Sequence, residues 1–490
     1  MNYLLSKTSH SGVKFMGQIN YTERIPNNVS LSDNRRLKKA LDGWHPAFLN
    51  WWSDVGPQVF KNNDVYLRTA TSTEPGGWAN YGFVKMPEYR WGIFLADPEP
   101  DRVIPAGDDA GKPAWQEVPG EYRHQLQRLI VVQADTEPAS VEQQRWLAAT
   151  APSLYDCRNL FQVNVEEARH LLAMVYLLHA HFGKDGRDEA DTLLARRSGD
   201  PDKPRLLEAF NQPCKDWLSF FCFTAFTDRD GKYQLGALAQ SAFDPLSRSC
   251  RFMLTEEAHH LFVGETGLAR IVKRTVELME KDSNADPTVG GGIPLELIQR
   301  FINHWFSYCL DLFGSEVSTN ASEYFASGLK GRWEENKRYT DHHLLDSWVT
   351  LPQVVDNELV DARFPARLAI NEQLRDDYIG DCKGVIRRIN RVLKDSAFDF
   401  RFTLPHKRFN RRQGMYAMYN FDPNGAMLTD QGFENRKDDW LPSAEDHEWI
   451  ETLMAHPVLE PGQMAAWIAA PSKGIRGTEV DFEYVRTESA

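Results

Sequence analysis

The sequence predicts an all-α protein organised around a four-helix bundle, and three observations carry that expectation. From about residue 119 to 285 the apolar residues recur with a helical period. The pentapeptide Glu-Glu-Ala-x-His occurs twice in that stretch, as Glu166 to His170 and as Glu256 to His260. Patterns of strand type are scarce throughout.

The two motifs set the geometry. Residues three apart share a helix face, so Glu167 with His170 and Glu257 with His260 can each offer a carboxylate oxygen and an imidazole nitrogen to one point. This choice makes the two copies superimpose. Glu166, Glu256 and His259 then read as outer or surface groups. A helical bundle that holds two metal ions needs two further carboxylates from its other helices. Glu137 stands 30 residues before Glu167, and Asp228 stands 29 before Glu257. At about 1.5 Å per residue, such a stretch runs out and back through a short turn and returns its end beside its start. Asp135 competes with Glu137 on spacing, and Asp230 and Asp216 compete with Asp228. The expected core is a ferritin-like bundle made of one helical hairpin used twice.

A lone Glu-x-x-His in a helix is common and usually marks a solvated face. Here both copies sit in apolar surroundings, LFQVNVEEARHLLAMVYLLHAHF and CRFMLTEEAHHLFVG. Unpaired charges there would cost several kcal/mol each. Four carboxylates and two imidazoles suit iron or manganese and provide no thiolate set. Six residues for two ions leave coordination positions open, which points to oxygen activation with the metals carrying the redox chemistry.

Taken in order, residues 1–17 read as a disordered leader and 18–118 as a cover of short helices and Pro, Gly and Trp-rich coil. Residues 119–285 form the ligand-bearing bundle. Pro138 follows Glu137 directly and predicts a kink at the metal level, and Pro245 predicts a bend or break in the fourth ligand helix. Additional helices are expected over 286–395, and 396–490 reads as a coil-rich wrap. Gln133 and Thr224 each lie one turn before a candidate ligand, so both are expected to face the metal pocket as catalytic hydrogen-bonding groups.

Composition points to a cytoplasmic enzyme. Hydrophobic residues make up 42% and charged residues 26%, with a net charge of −13 that argues against nucleic acid. No apolar run is long enough for a membrane span. The six cysteines show no C-x-x-C pairing and read as reduced thiols. Basic clusters occur late in the chain, and Arg408, Arg411 and Arg412 are candidates for binding substrate phosphate, weighed against a solvated face.

The runs INYTERIPNN, YRWGIFLA, WQEVPGEYR, DTEPASVEQQR, RNLFQVNVEEARHL, TDRDGK, SAFDPL and FMLTEEAHHLFVGE resemble the oxygenase components of the benzoyl-CoA 2,3-epoxidase family. The resemblance covers most of the chain from about residue 18. It implies a di-iron centre held by Glu137, Glu167, His170, Asp228, Glu257 and His260, and it favours Asp228 over its rivals. It also implies epoxidation of benzoyl-CoA with O2, the electrons coming from NADPH through a separate FAD and iron–sulfur reductase. No Gly-x-Gly-x-x-Gly fingerprint or cysteine cluster stands against that division of labour. A monomer is expected on the oxygenase side. The alternatives are an epoxidase of another aromatic acyl-CoA, such as phenylacetyl-CoA, and a ferroxidase-type protein.

Overall fold

The structure, a computed structural model, describes residues 35–36, 39, 64–67, 84–85, 95–394, 396–460, 462–472 and 485–486. The leader expected over 1–17 and most of the cover expected over 18–118 lie outside these residues.

Helices α1 (Arg123–Gln144) and α2 (Leu154–His181) form the first antiparallel hairpin, closed by a 3-10 turn over Arg145–Thr150. Helix α3 (Gly183–Ala195) packs across both. Helices α4 (Trp217–Leu238) and α5 (Asp244–Met279) form the second hairpin. The starts of α2 and α4 are written locally: Ser153 Oγ accepts the Asp156 N–H at 3.0 Å, and Asp216 Oδ1 accepts the Ser219 N–H at 2.6 Å. Pro245 corrects one expectation. It lies in the first turn of α5, where its missing N–H would have had no partner in the helix, and so it starts the helix instead of breaking it. Helix α1 runs through Pro138 as one helix.

Helix α2 is the centre of the molecule. Every residue from Leu154 to Val175 is buried, because α1, α3 and α5 surround it and the C-terminal segment closes its N-terminal end. The backbone N–H groups of Val458 and Ala465 donate to the carbonyls of Ala151 and Pro152, each at 2.9 Å, and the N–H of Ala469 donates to Arg270 at 3.2 Å. Helices α4 and α5 cross closely at Gly264, where a Cβ would stand 2.3 Å from the Ala225 nitrogen.

Beyond the bundle follow α6 (Leu295–Asp311), α7 (Thr319–Ala326), α8 (Glu335–Arg338) and α9 (Ile370–Leu393). Helices α10 (Asp430–Glu434), α11 (Lys437–Trp440) and α12 (Ala444–Leu453) are short and set in coil. Among the described residues, an eight-by-eight-residue hairpin departs most from the helical expectation. Strands Trp348–Val355 and Glu358–Pro365 pair antiparallel around Asp356 and Asn357, whose φ values of 50° and 62° suit a two-residue hairpin turn.

Candidate di-metal centre

Four helices bring six side chains to one buried point: Glu137 from α1, Glu167 and His170 from α2, Asp228 from α4, and Glu257 and His260 from α5. Two overlapping groups result, Glu137 with Glu167 and His170, and Glu167 with Asp228 and His260, each with ligand atoms within 4.8 Å of one another. His170 Nδ1 lies 3.4 Å from Glu137 Oε2, 3.7 Å from Glu167 Oε2 and 3.7 Å from Glu257 Oε1. His260 Nδ1 lies 3.2 Å from Glu167 Oε1, 3.4 Å from Glu257 Oε2 and 3.9 Å from Asp228 Oδ2. Glu167 and Glu257 therefore each turn one oxygen toward each histidine, while Glu137 and Asp228 sit at opposite ends.

Four atoms in this cluster are buried without a hydrogen-bond partner: His170 Nδ1, His260 Nδ1, Asp228 Oδ2 and Glu257 Oε2. Buried polar atoms are rarely left so. Converging orphans of this chemistry fit a pair of cations, and two divalent ions would balance the four carboxylates. The electrostatics of the cluster are strongly perturbed. Burial pushes Glu137 up to about 8 and raises Asp228 well above the usual carboxylate range. Burial opposes the charged form of Glu167 too, but the neighbouring imidazoles of His170 and His260 outweigh it and hold this group low. The histidines are raised well above their ordinary value, burial being outweighed by the carboxylates around them.

The outer nitrogens are also held. His170 Nε2 lies 3.2 Å from Glu256 Oε2, and His260 Nε2 lies 3.1 Å from Glu166 Oε2. Each Glu-Glu-Ala-x-His motif thus lends its first glutamate to the other motif's histidine. This orients each ring with Nδ1 toward the centre. Arg169 forms an ion pair with Glu256 and stands 3.7 Å from Glu166, and Gln162 donates to Glu166 at 3.0 Å. Periodicity had marked Glu166 and Glu256 only as outer groups; that they act across the bundle depends on how α2 faces α5.

The remaining sequence candidates separate clearly. Gln133 lines the cavity beside the cluster, and its Nε2 donates to Glu137 Oε1 at 2.8 Å. Thr224 does not line that cavity: its hydroxyl donates to the Phe220 carbonyl at 3.0 Å, and it lies against the position a Cβ at Gly264 would take. Thr227, three residues on in α4 and next to Asp228, does line it, as does Thr136 of α1. Asp135 is committed to Arg196 and Arg205 at 3.3 and 3.2 Å, and Asp216 to capping α4. Arg411 corrects the phosphate assignment. It is buried and bonded to Asp311 at 2.6 Å and Glu316 at 2.9 Å, so it braces α6 and cannot meet a ligand. Arg412 is exposed and lies over the Tyr308 ring, while Arg408 donates to the Gly425 carbonyl at 3.0 Å.

The cavity beside the cluster has a volume of about 130 Å³. Glu137, Glu167, Asp228 and Glu257 form one side of it, and Gln234 and Lys330, which sequence reasoning had not singled out, also line it.

A family model described as phenylacetic acid catabolic protein matches residues 112–285, the stretch that contains all six side chains of the cluster. A protein of Aromatoleum evansii described as benzoyl-CoA oxygenase component B is 55% identical over 471 residues, which is 96% of this chain and 99% of that protein. The chain belongs to the benzoyl-CoA oxygenase component B family. In this chain the fourth carboxylate is an aspartate, and its contact with His260 is the longest of the three carboxylate contacts made by that Nδ1.

Proposed function

We propose that this chain is the oxygenase component of a benzoyl-CoA 2,3-epoxidase, with two iron ions held by Glu137, Glu167, His170, Asp228, Glu257 and His260. The single observation that carries the reading is the convergence of unpartnered, buried ligand atoms on one point between four helices. The full-length similarity to a benzoyl-CoA oxygenase component B supports the substrate. Bound there, two irons would supply the redox chemistry for dioxygen, so that with two electrons from NADPH by way of the reductase and two protons, one oxygen atom is added across the 2,3 bond of the ring and the other leaves as water.

The protein's own groups do the rest. Gln133 holds Glu137 by one oxygen, and Glu166 and Glu256 keep the imidazoles turned inward. A cavity of about 130 Å³ is far smaller than the space a whole coenzyme A ester needs, so only the acyl end enters and the nucleotide serves as an external handle. The word "component" in the relative's name fits a separate partner, which we assign as the NADPH-dependent FAD and iron–sulfur reductase. We assign the oxygenase to the cytoplasm as a monomer; its six free, buried cysteines support a reducing compartment, and no helix among the described residues is long and apolar enough to cross a membrane.

The test is anaerobic loading with iron(II), metal counting, and exposure to O2 and benzoyl-CoA with reductase and NADPH. Two irons per chain and a product heavier by one oxygen are expected. Two irons without product would move the assignment to another aromatic acyl-CoA or to a ferroxidase. No bound metal would overturn it.

A further inference from the structure

The metal-facing cavity holds one basic side chain among its described lining residues, Lys330. The segment that carries it is pinned at both ends. The N–H of Gly331 donates to the Ala237 carbonyl at 3.1 Å, and the Gly328 carbonyl accepts from Ala242 at 2.7 Å. A Cβ at Gly331 would stand 2.7 Å from the Gln240 Cβ, and one at Gly328 would stand 2.9 Å from Ile104. Close approach at both glycines therefore fixes Leu329 and Lys330 against the end of α4, with Leu329 buried and the lysine beside the cavity. Lys330 Nζ donates to Gln234 Oε1 at 2.6 Å, and Gln234 Nε2 donates to Asp230 Oδ1 at 3.1 Å. All three residues line the cavity.

Most other donors there are already committed, and the Ser140 hydroxyl, which also lines the cavity, is the rival donor. Gln133 Nε2 is bonded to Glu137, the Thr136 hydroxyl donates to the Gln133 carbonyl at 2.7 Å, and the Thr227 hydroxyl is paired with Cys309 at 3.2 Å. An ammonium carries three N–H donors, of which the structure engages one. A carbonyl oxygen drawn out of water into this cavity needs such a donor, because leaving it unpaired would weaken binding. Burial lowers the Lys330 amine to about 8, so it still carries its proton at neutral pH.

We propose that Lys330, held in place by Gln234, binds the carbonyl oxygen of the acyl thioester and thereby fixes which edge of the ring faces the carboxylate cluster. The inference rests on the acyl-CoA reading above and names the contact that recognises the thioester itself, as distinct from the ring or the nucleotide.

The experiment compares binding of benzoyl-CoA with that of its thioether analogue S-benzyl-CoA, which lacks the carbonyl, to the anaerobic iron-loaded protein. The wild type is expected to prefer the thioester roughly 10- to 100-fold, the range of one charge-assisted hydrogen bond. Lys330→Met should abolish the preference while leaving thioether affinity unchanged, and Lys330→Arg should keep part of it. A preference retained by Lys330→Met, or lost instead in Ser140→Ala, would overturn the proposal. A wild type that binds the two ligands equally would overturn it while leaving the substrate reading intact; one that binds neither would overturn both. If Lys330→Met does not fold, the isotope-edited infrared carbonyl band of benzoyl-CoA bound to wild type decides: a shift to lower frequency supports the contact, and an unshifted band removes it.

Discussion

Glu256 on α5 reaches His170 on α2, with its Oε2 3.2 Å from Nε2, while Glu166 on α2 reaches His260 on α5 at 3.1 Å. The exchange ties the two histidine-bearing helices together at the level of the cluster. Glu256→Gln and Glu166→Gln are each expected to weaken metal loading about 10- to 100-fold. Anaerobic iron(II) titration reads this directly, and an unchanged affinity in both variants would show that the exchanged carboxylates do not tune the site.

Gly231 lies beside the cluster, where a Cβ would stand 3.9 Å from Glu257 Oε1, an ordinary contact. Gly231→Ala should therefore fold well and gain up to about 1 kcal/mol from helix propensity. Gly231→Leu would project into the cavity. Its turnover of benzoyl-CoA should fall at least about tenfold with iron content intact, as a blocked near-attack geometry costs; elemental analysis beside a turnover assay separates the two effects.

At the crossing of α4 and α5 the neighbour of Gly264 is backbone, which cannot yield as a side chain tip can. Gly264→Ala is expected to destabilise the protein by about 1–3 kcal/mol or more through overpacking. A urea midpoint equal to that of the wild type would contradict the close crossing.

Arg411 and Arg412 are adjacent but differ in kind. Arg411→Ala removes the buried pairs to Asp311 and Glu316, and because Glu316 keeps Arg375 at 3.2 Å and Asp311 keeps the Arg412 N–H at 2.8 Å, it should cost up to about 3 kcal/mol, the low end for broken buried pairs. Arg412→Ala loses an exposed contact over Tyr308, worth about 0.5–1 kcal/mol. Thermal melts of the two variants rank them; if Arg412 meets a phosphate, its loss should also flatten the salt dependence of acyl-CoA affinity.

Burial pushes His304 down to about 3, with His447 and Arg412 adding to the effect. The unfolded chain takes up the proton near 6.5, so its unfolded form binds more protons between the two values. Stability should be full above about pH 6.5 and fall as the pH drops toward 3. His304→Leu is expected to flatten that slope in urea melts at pH 7 and pH 5. Parallel slopes would assign the acid sensitivity elsewhere.

The clustered side chains were legible because a helix converts i, i+3 spacing into a shared face, and a hairpin of about thirty residues returns Glu137 and Asp228 to the level of the motifs. What depended on the packing of one helix on another was not. Thr224 satisfies the same one-turn spacing as Gln133, yet the close crossing at Gly264 turns that face of α4 into a helix interface. Lys330 stands 73 positions beyond Glu257 in the chain, and no local pattern links it to the cavity. The hairpin at Trp348–Pro365 was masked by Pro352 within a strand and by its Asp-Asn turn, a weaker signal than Asn-Gly.

The carbonyls of Ala151 and Pro152, at the start of the most buried helix, are completed by Val458 and Ala465, more than 300 positions later. During synthesis the histidine-bearing helices emerge well before the segment that seals one of them. The native fold of this bundle therefore waits for nearly the whole polypeptide to leave the ribosome, and an early truncation deprives helix α2 of its seal even though every ligand has already been made.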